Sequence, residues 1–306
     1  MQWVPFESSV AEAAGTVDHW ASAAPEIVVT MVHRWRLTAG AAYIGGASAA
    51  ALAVTREDGS PAVLKVGYPH REARFEAVGL EAMAPIAPRV LDQDPWTWSL
   101  LLERVVPGTP LSRSSDIDGG LERAGALHAR VVACAPPPGI PTLAGAMDEY
   151  VRAARGRWAG QVAALRALGV ENSVEAAIDE LTLLEREPAP AALLHGDFNP
   201  GNLLEHAESG GLLAIDPKPL LGDPAYDLWP LIAQLGHPFE SHDPVATIRA
   251  HLERACRAAG CAPERVARWS RARTGLNVSW YLAQGDPAQA RQAAFELSVW
   301  NRLLGA

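Results

Sequence analysis

The chain has 306 residues, about half of them hydrophobic and a fifth charged, with a formal net charge of −9. That length suits two lobes better than one core, and the acidic balance argues against a nucleic acid partner, because phosphates demand a basic face. Cys134, Cys256 and Cys261 lack any Cys-x-x-Cys spacing, so neither a disulfide framework nor a zinc site is expected. Residues 1–7 lack a basic region leading into an apolar core, and the weakly apolar stretch 39–54 is too short to span a bilayer. The expected location is the reduced cytoplasm, with no membrane partner.

In chain order, residues 10–24 are alanine-rich and predict a helix ending near Pro25. Residues 27–35 are rich in β-branched and aromatic side chains and predict a strand. Gly40 and the Gly45–Gly46 pair break the pattern, residues 50–54 resume it, and Asp58-Gly59 turns the chain into a further strand over 62–66. Lys65 sits between Leu64 and Val66 in a strand otherwise built for burial, and a buried ammonium needs a partner. Nucleotide phosphates are one candidate. The other is a carboxylate on the helix expected over 71–83, where Glu72 and Glu76 lie one turn apart.

Strand, glycine loop, strand, turn and a strand carrying lysine is the order of a kinase small lobe. The glycine loop itself is neither Gly-x-Gly-x-x-Gly nor a Walker sequence, so it carries no assignment. Residues 99–105 predict an apolar strand turning charged before Pro107-Gly108. A kinase hinge at this place would offer adenine the Glu103 carbonyl and the Val105 amide. Beyond it the chain turns helical, over 120–132, 144–168, 174–184, 244–259, 263–281 and 288–304. Trp158, Trp229, Trp269, Trp280 and Trp300 fall in this part, where they suit helix packing as well as cation–π contacts.

Among these helices runs His195-Gly196-Asp197-Phe198-Asn199-Pro200-Gly201-Asn202, between short apolar runs at 191–194 and 203–204. Asn-Pro-Gly predicts a turn, and the apolar residues 212–215 predict a strand ending at Asp216. A hairpin would return Asp216 to the 197–202 loop. Read alone, an aspartate and an asparagine five apart also fit a plain surface turn; Asp216 makes the chemical reading stronger. Phosphoryl transfer needs one side chain to orient the attacking hydroxyl and hard oxygen ligands for magnesium. Asp197 suits the first task, and Asn202 with Asp216 the second. Asp223 reads as the cap of a helix starting at Pro224, with Asp227 projecting from that helix toward the loop.

This stretch resembles the aminoglycoside phosphotransferases, whose catalytic loop reads His-Gly-Asp, four residues, then Asn, with a metal aspartate after a short Ile/Val strand. Residues 213–230, Leu-Ala-Ile-Asp-Pro-Lys-Pro-Leu-Leu-Gly-Asp-Pro-Ala-Tyr-Asp-Leu-Trp-Pro, resemble the branch that includes streptomycin 6-kinases and hydroxyurea phosphotransferases. The resemblance implies an α+β, protein-kinase-like bilobal fold, with a small antiparallel-sheet N-lobe over 1–104 and a mainly helical C-lobe over 105–306. It implies ATP and Mg2+, Asp197 as catalytic base, and Asn202 and Asp216 as metal ligands. Glu76 becomes the expected partner of Lys65, with Glu72 the alternative, and Ser48 the expected phosphate contact.

The activity so implied is ATP-dependent phosphorylation of a hydroxyl on a small cationic antibiotic such as streptomycin. Asp148, Glu149 and Asp227 are the candidate partners for its ammonium or guanidinium groups. Other small-molecule acceptors, among them hydroxyurea, a peptide antibiotic or a metabolite sugar, form the alternative. A nucleotide-binding module without catalysis is a further one, although such a module is expected to lack Asp197, Asn202 or Asp216. A metal-dependent hydrolase would leave Lys65, Glu76 and the hinge-like strand unexplained.

Overall fold

A computed structural model of the chain describes Val4, Phe6, residues 15–43 and residues 48–305. The Gly45–Gly46 pair of the expected glycine loop lies outside the described residues, as do residues 10–14 of the expected first helix. The chain divides into two compact units. The first comprises Met1–Pro110, Cys134–Ile140 and Asn202–Pro219; the second comprises Leu111–Ala133, Pro141–Gly201 and Leu220–Ala306.

In the first unit, α1 (Val17–Arg34) begins where the Thr16 hydroxyl accepts from the His19 amide. It buries Trp20, Ala24 and Met31 against Val54, Ala62, Leu64, Val66 and Leu101. The expected strand over 27–35 is therefore helix, and Pro25 lies inside it rather than ending it. Burial at 20, 24 and 31 keeps a helical period through the β-branched run, so packing overrides local propensity. Pro25 is exposed, which places its ring on the outer face.

The sheet that α1 packs on is antiparallel. It contains β1 (Thr38–Tyr43), β2 (Ala49–Thr55), β3 (Pro61–Gly67), β4 (Val90–Asp94) and β5 (Ser99–Glu103), in the order β1-β2-β3-β5-β4. Strands β1 and β4 were not expected. The first is Ala- and Gly-rich with every residue exposed; the second is mostly polar, so neither alternates as a half-buried strand does. On β3, Ala62, Leu64 and Val66 are buried in the α1 cluster, and alternation puts Lys65 on the opposite face. The expected helix over 71–83 is a 3-10 turn, Arg71–Phe75, leading into α2 (Glu76–Ala82). A small second sheet joins β6 (Pro107–Pro110), β8 (Leu203–His206) and β9 (Gly211–Ala214).

The second unit is helical, with α3 (Ile117–Val132), α4 (Leu143–Ala167), α5 (Glu171–Arg186), α6 (Trp229–Gln234), α7 (Pro244–Ala259), α8 (Pro263–Ala283) and α9 (Pro287–Leu304). Three of these open on proline, and Asp243 and Asp286 cap two of them by accepting backbone amides. The core brings Ala154 and Leu165 of α4, Val174 and Ile178 of α5, Val278 of α8 and Leu297 of α9 together. A two-stranded ladder of β7 (Ala192–Leu194) and β10 (Leu220–Gly222) leads into the Asp197 loop. No helix among the described residues is long and apolar enough to cross a membrane. A sheet-rich first unit and a helix-rich second unit make up the expected α+β, protein-kinase-like fold.

Candidate active site

Lys65 meets two carboxylates within the first unit. Its Nζ lies 2.7 Å from Glu76 Oε1 and 2.6 Å from Asp216 Oδ1. The ammonium is 13 % exposed and Glu76 only 3 %. Burial disfavours the lysine's charge, but Glu76 and Asp216 outweigh it and hold its pKa above the ordinary value. Of the two helix carboxylates, Glu76 makes this contact; Glu72 lies 4.0 Å from Lys218. α2 can bring Glu76 so close because residue 79 is glycine: a Cβ there would stand 3.0 Å from Pro219 Cγ and 3.3 Å from Pro217 Cγ.

The β8–β9 hairpin does what the sequence pattern asks of it. Leu203 pairs with Ala214, and the Ile215 amide donates to the Asn202 carbonyl at 2.9 Å, so Asn202 and Asp216 follow side by side from paired strands. Asp216 has φ of 56°, a left-handed conformation that aspartate tolerates better than most residues, and its side chain is 40 % exposed. The amide of Asn202 and the carboxylate of Asp216 are hard oxygen donors of the kind magnesium accepts, its other positions being filled by water and phosphate oxygens. No group of three or more His, Cys, Asp or Glu side chains is poised to hold a metal among the described residues, which excludes there an all-protein cage of that kind.

The other expected nucleotide contacts also lie in this unit. Ser48 is exposed at a bend, and its carbonyl accepts from the Tyr68 amide. The Glu103 carboxylate is forked by Arg89 at 3.1 Å on both oxygens, which holds its pKa below the usual carboxylate range. Val105 is buried two residues beyond the end of β5.

In the second unit Asp227 shapes the Asp197 loop. It is fully buried and accepts from the backbone amides of His195 at 2.6 Å and Gly196 at 2.9 Å, one on each oxygen. Burial pushes its carboxyl up to about 6, against the lowering pull of those amides and of Arg273. Gly196 has φ of 81°, which bends the chain so that successive amides point at one carboxylate. Arg273 donates to the Tyr226 carbonyl at 2.8 Å and lies over the rings of Tyr226 and Trp229. Phe198 is fully buried, edge-on to His128 and His195.

Within this frame the Asp197 amide donates to the His195 ring at 3.3 Å, and Asp197 Oδ1 accepts from Asn199 Nδ2 at 2.9 Å. Asn199 Oδ1 in turn accepts the Gly201 amide at 2.9 Å. In the sequence Asn199 reads only as turn chemistry, beside Pro200 and Gly201. Asp223 caps the turn at Pro224 and also binds Arg265 and Trp269.

Of the expected cation partners, Asp227 is spent on the loop amides and faces no solvent. Asp148 and Glu149 lie exposed on α4, with Glu185 near Asp148 and pushed up to about 7 by burial.

An antiparallel sheet unit with a lysine–carboxylate pair, joined to a helical unit that holds an aspartate on a rigid loop, defines the protein-kinase-like phosphotransferases. Structural comparison agrees: a thermostable mutant of an aminoglycoside phosphotransferase superposes with a TM-score of 0.62 at 19 % identity, over 90 % of this chain and 99 % of that one. The chain belongs to the aminoglycoside/hydroxyurea antibiotic resistance kinase family, whose profile matches residues 34–285. It is 34 % identical to a streptomycin 6-kinase of Streptomyces glaucescens, over 93 % of this chain and 92 % of the relative. It is 31 % identical to a hydroxyurea phosphotransferase of Kitasatospora aureofaciens, over 92 % and 79 %. The chain is thus a small-molecule kinase.

Proposed function

We propose that the protein transfers the γ-phosphoryl group of ATP to a hydroxyl of an aminoglycoside, with streptomycin the first acceptor to test. The observation that carries this reading is the Asp197 loop. A partly exposed carboxylate is fixed by Asn199 and by a backbone that Asp227 holds rigid, which suits orientation of one hydroxyl. The streptomycin 6-kinase relative supplies the acceptor class.

In this reading Asp197 accepts a hydrogen bond from the acceptor hydroxyl. As that oxygen attacks the γ-phosphorus in line, the bond to the leaving ADP breaks and the hydroxyl proton passes to the Asp197 carboxylate. Lys65, oriented by Glu76, binds nucleotide phosphate oxygens, with Ser48 and the Glu103–Val105 backbone as further nucleotide contacts. Asn202 and Asp216 would hold magnesium, which when bound neutralises charge on the phosphates. The hydroxyurea phosphotransferase relative favours a second acceptor, uncharged and smaller.

Incubation with ATP, magnesium and streptomycin is expected to add the mass of one phosphoryl group to the drug. No product at saturating drug, with clear turnover of hydroxyurea, would reject the aminoglycoside and leave the small-molecule kinase.

A further inference from the structure

Two residues near the start of the chain are tied to the first unit by more bonds than a loose end needs. β4 is an edge strand of the sheet, and Val4 meets it through the side chain of Gln93. The Val4 amide donates to Gln93 Oε1 at 3.2 Å, and the Val4 carbonyl accepts from Gln93 Nε2 at 2.7 Å. Phe6 is 2 % exposed, its ring stacked on that of Trp98 with the centroids 4.9 Å apart. Its backbone is committed to one residue: the amide donates to the Arg74 carbonyl at 2.9 Å, and the carbonyl accepts from Arg74 Nε at 3.1 Å.

Both neighbours of Phe6 lead to the buried lysine. Arg74 belongs to the 3-10 turn Arg71–Phe75, and Glu76, the first residue of α2, follows that turn directly. The Trp98 carbonyl accepts from the Gly67 amide at 2.9 Å at the end of β3, and Ser99 pairs with Val66, next to Lys65. Phe6 therefore ties the segment that carries Glu76 to the segment that carries Lys65. The turn and α2 need such a tie. They have five and seven residues, and neither His70 nor Phe75 caps them with a side-chain hydrogen bond. Helical pieces this short take their position from what they pack on. Gly79 seats the middle of α2 on Pro217 and Pro219, which leaves the approach to its first residue to be held by other means. The 2.7 Å contact between Lys65 and the nearly buried Glu76 depends on that approach, because only accurate geometry offsets the desolvation of two buried charges.

We propose that Phe6 is a positioning residue for the nucleotide site: keyed between Arg74 and Trp98, it fixes the entry to α2 so that Glu76 stays against Lys65. The assignment rests on the reading that Lys65, oriented by Glu76, binds nucleotide phosphates. Phe6 acts on that pair through the turn and the end of β3, and its effect on nucleotide affinity passes through Glu76.

The test is ADP binding to the full chain in the presence of magnesium, measured by calorimetry well below the melting temperature of each variant. Phe6→Ala is expected to weaken ADP binding about tenfold, and by less than about twofold when Glu76→Gln is already present. The fall in melting temperature should be the same in both backgrounds. A merely structural role would lower the melting temperature and leave the affinity of the folded protein unchanged. Arg74→Met keeps an apolar stem and removes the Nε donor to the Phe6 carbonyl, so it carries the same test if Phe6→Ala does not fold. Its loss is expected to be about threefold, again only when Glu76 is present. Unchanged ADP affinity in the folded variant, or equal losses with and without Glu76, overturns the positioning role and leaves the proposed function standing. If Lys65→Ala and Glu76→Gln leave ADP affinity at the wild-type value, the nucleotide reading of the pair falls, and this role with it.

Discussion

Asp227→Asn separates the stability of the loop from its catalytic precision. The wild-type carboxylate accepts the His195 and Gly196 amides, one on each oxygen, in a fully buried setting. Asparagine keeps the shape but offers one acceptor oxygen, so one buried amide loses its partner at about 1–3 kcal/mol. The variant also removes a buried charge. A carboxyl pushed up to about 6 from 3.8 carries an ionisation cost of about 3 kcal/mol at neutral pH. These effects oppose each other, so net stability at pH 7 should change by no more than about 2 kcal/mol.

The catalytic loss should be far larger, because a displacement of about 1 Å at Asp197 costs roughly 100-fold in kcat. The pH dependence has a definite sign. The folded pKa of Asp227 lies above its unfolded value, so its titration stabilises the fold fully below about 3.8, and this contribution is lost as pH rises through about 6. Asparagine lacks that gain, so the stability of wild type over variant should widen as pH falls from 7 toward 4. The assays are steady-state kinetics at pH 7 and thermal melts from pH 4 to 7. A variant within threefold of wild-type kcat, or a stability gap that narrows on acidification, would refute the reasoning.

Other expectations concern the remaining site residues. Asp197→Asn should cut turnover by about 100-fold or more while the thermal shift with ATP and magnesium persists; near-wild-type turnover would remove the base assignment. Asp216→Asn keeps a side chain suited to a left-handed backbone, so it should fold as wild type yet need several-fold more magnesium; unchanged metal dependence in a titration would sink the ligand reading. Lys65→Ala and Glu76→Gln should weaken nucleotide binding non-additively in a double-mutant cycle, because one carboxylate orients one ammonium. Additive effects would separate the two roles.

What the sequence by itself determined is whatever short-range chemistry writes. The turn at Asn199-Pro200-Gly201, the hairpin returning Asp216, and the helix starts at Pro244 and Pro263 all follow from residues within a few positions of one another. Lys65 stood out because a lysine in an apolar strand is locally inconsistent, and such inconsistencies concentrate where a protein does chemistry.

Tertiary structure decided the rest. Residues 27–35 have strand propensity, yet they continue α1 because Trp20, Ala24 and Met31 share one buried face on the sheet. The choice between Glu72 and Glu76 depended on how a 3-10 turn orients α2, and on a glycine that lets the helix approach Pro217 and Pro219. Asp227 reads in the sequence first as scaffold and second as a substrate partner, and its burial with two amide donors assigns it to the loop. Glu76 and Asp216 come to one lysine from distant parts of the sequence, which no local pattern encodes. Side chains of that kind are chosen by packing, and packing is a property of the folded chain.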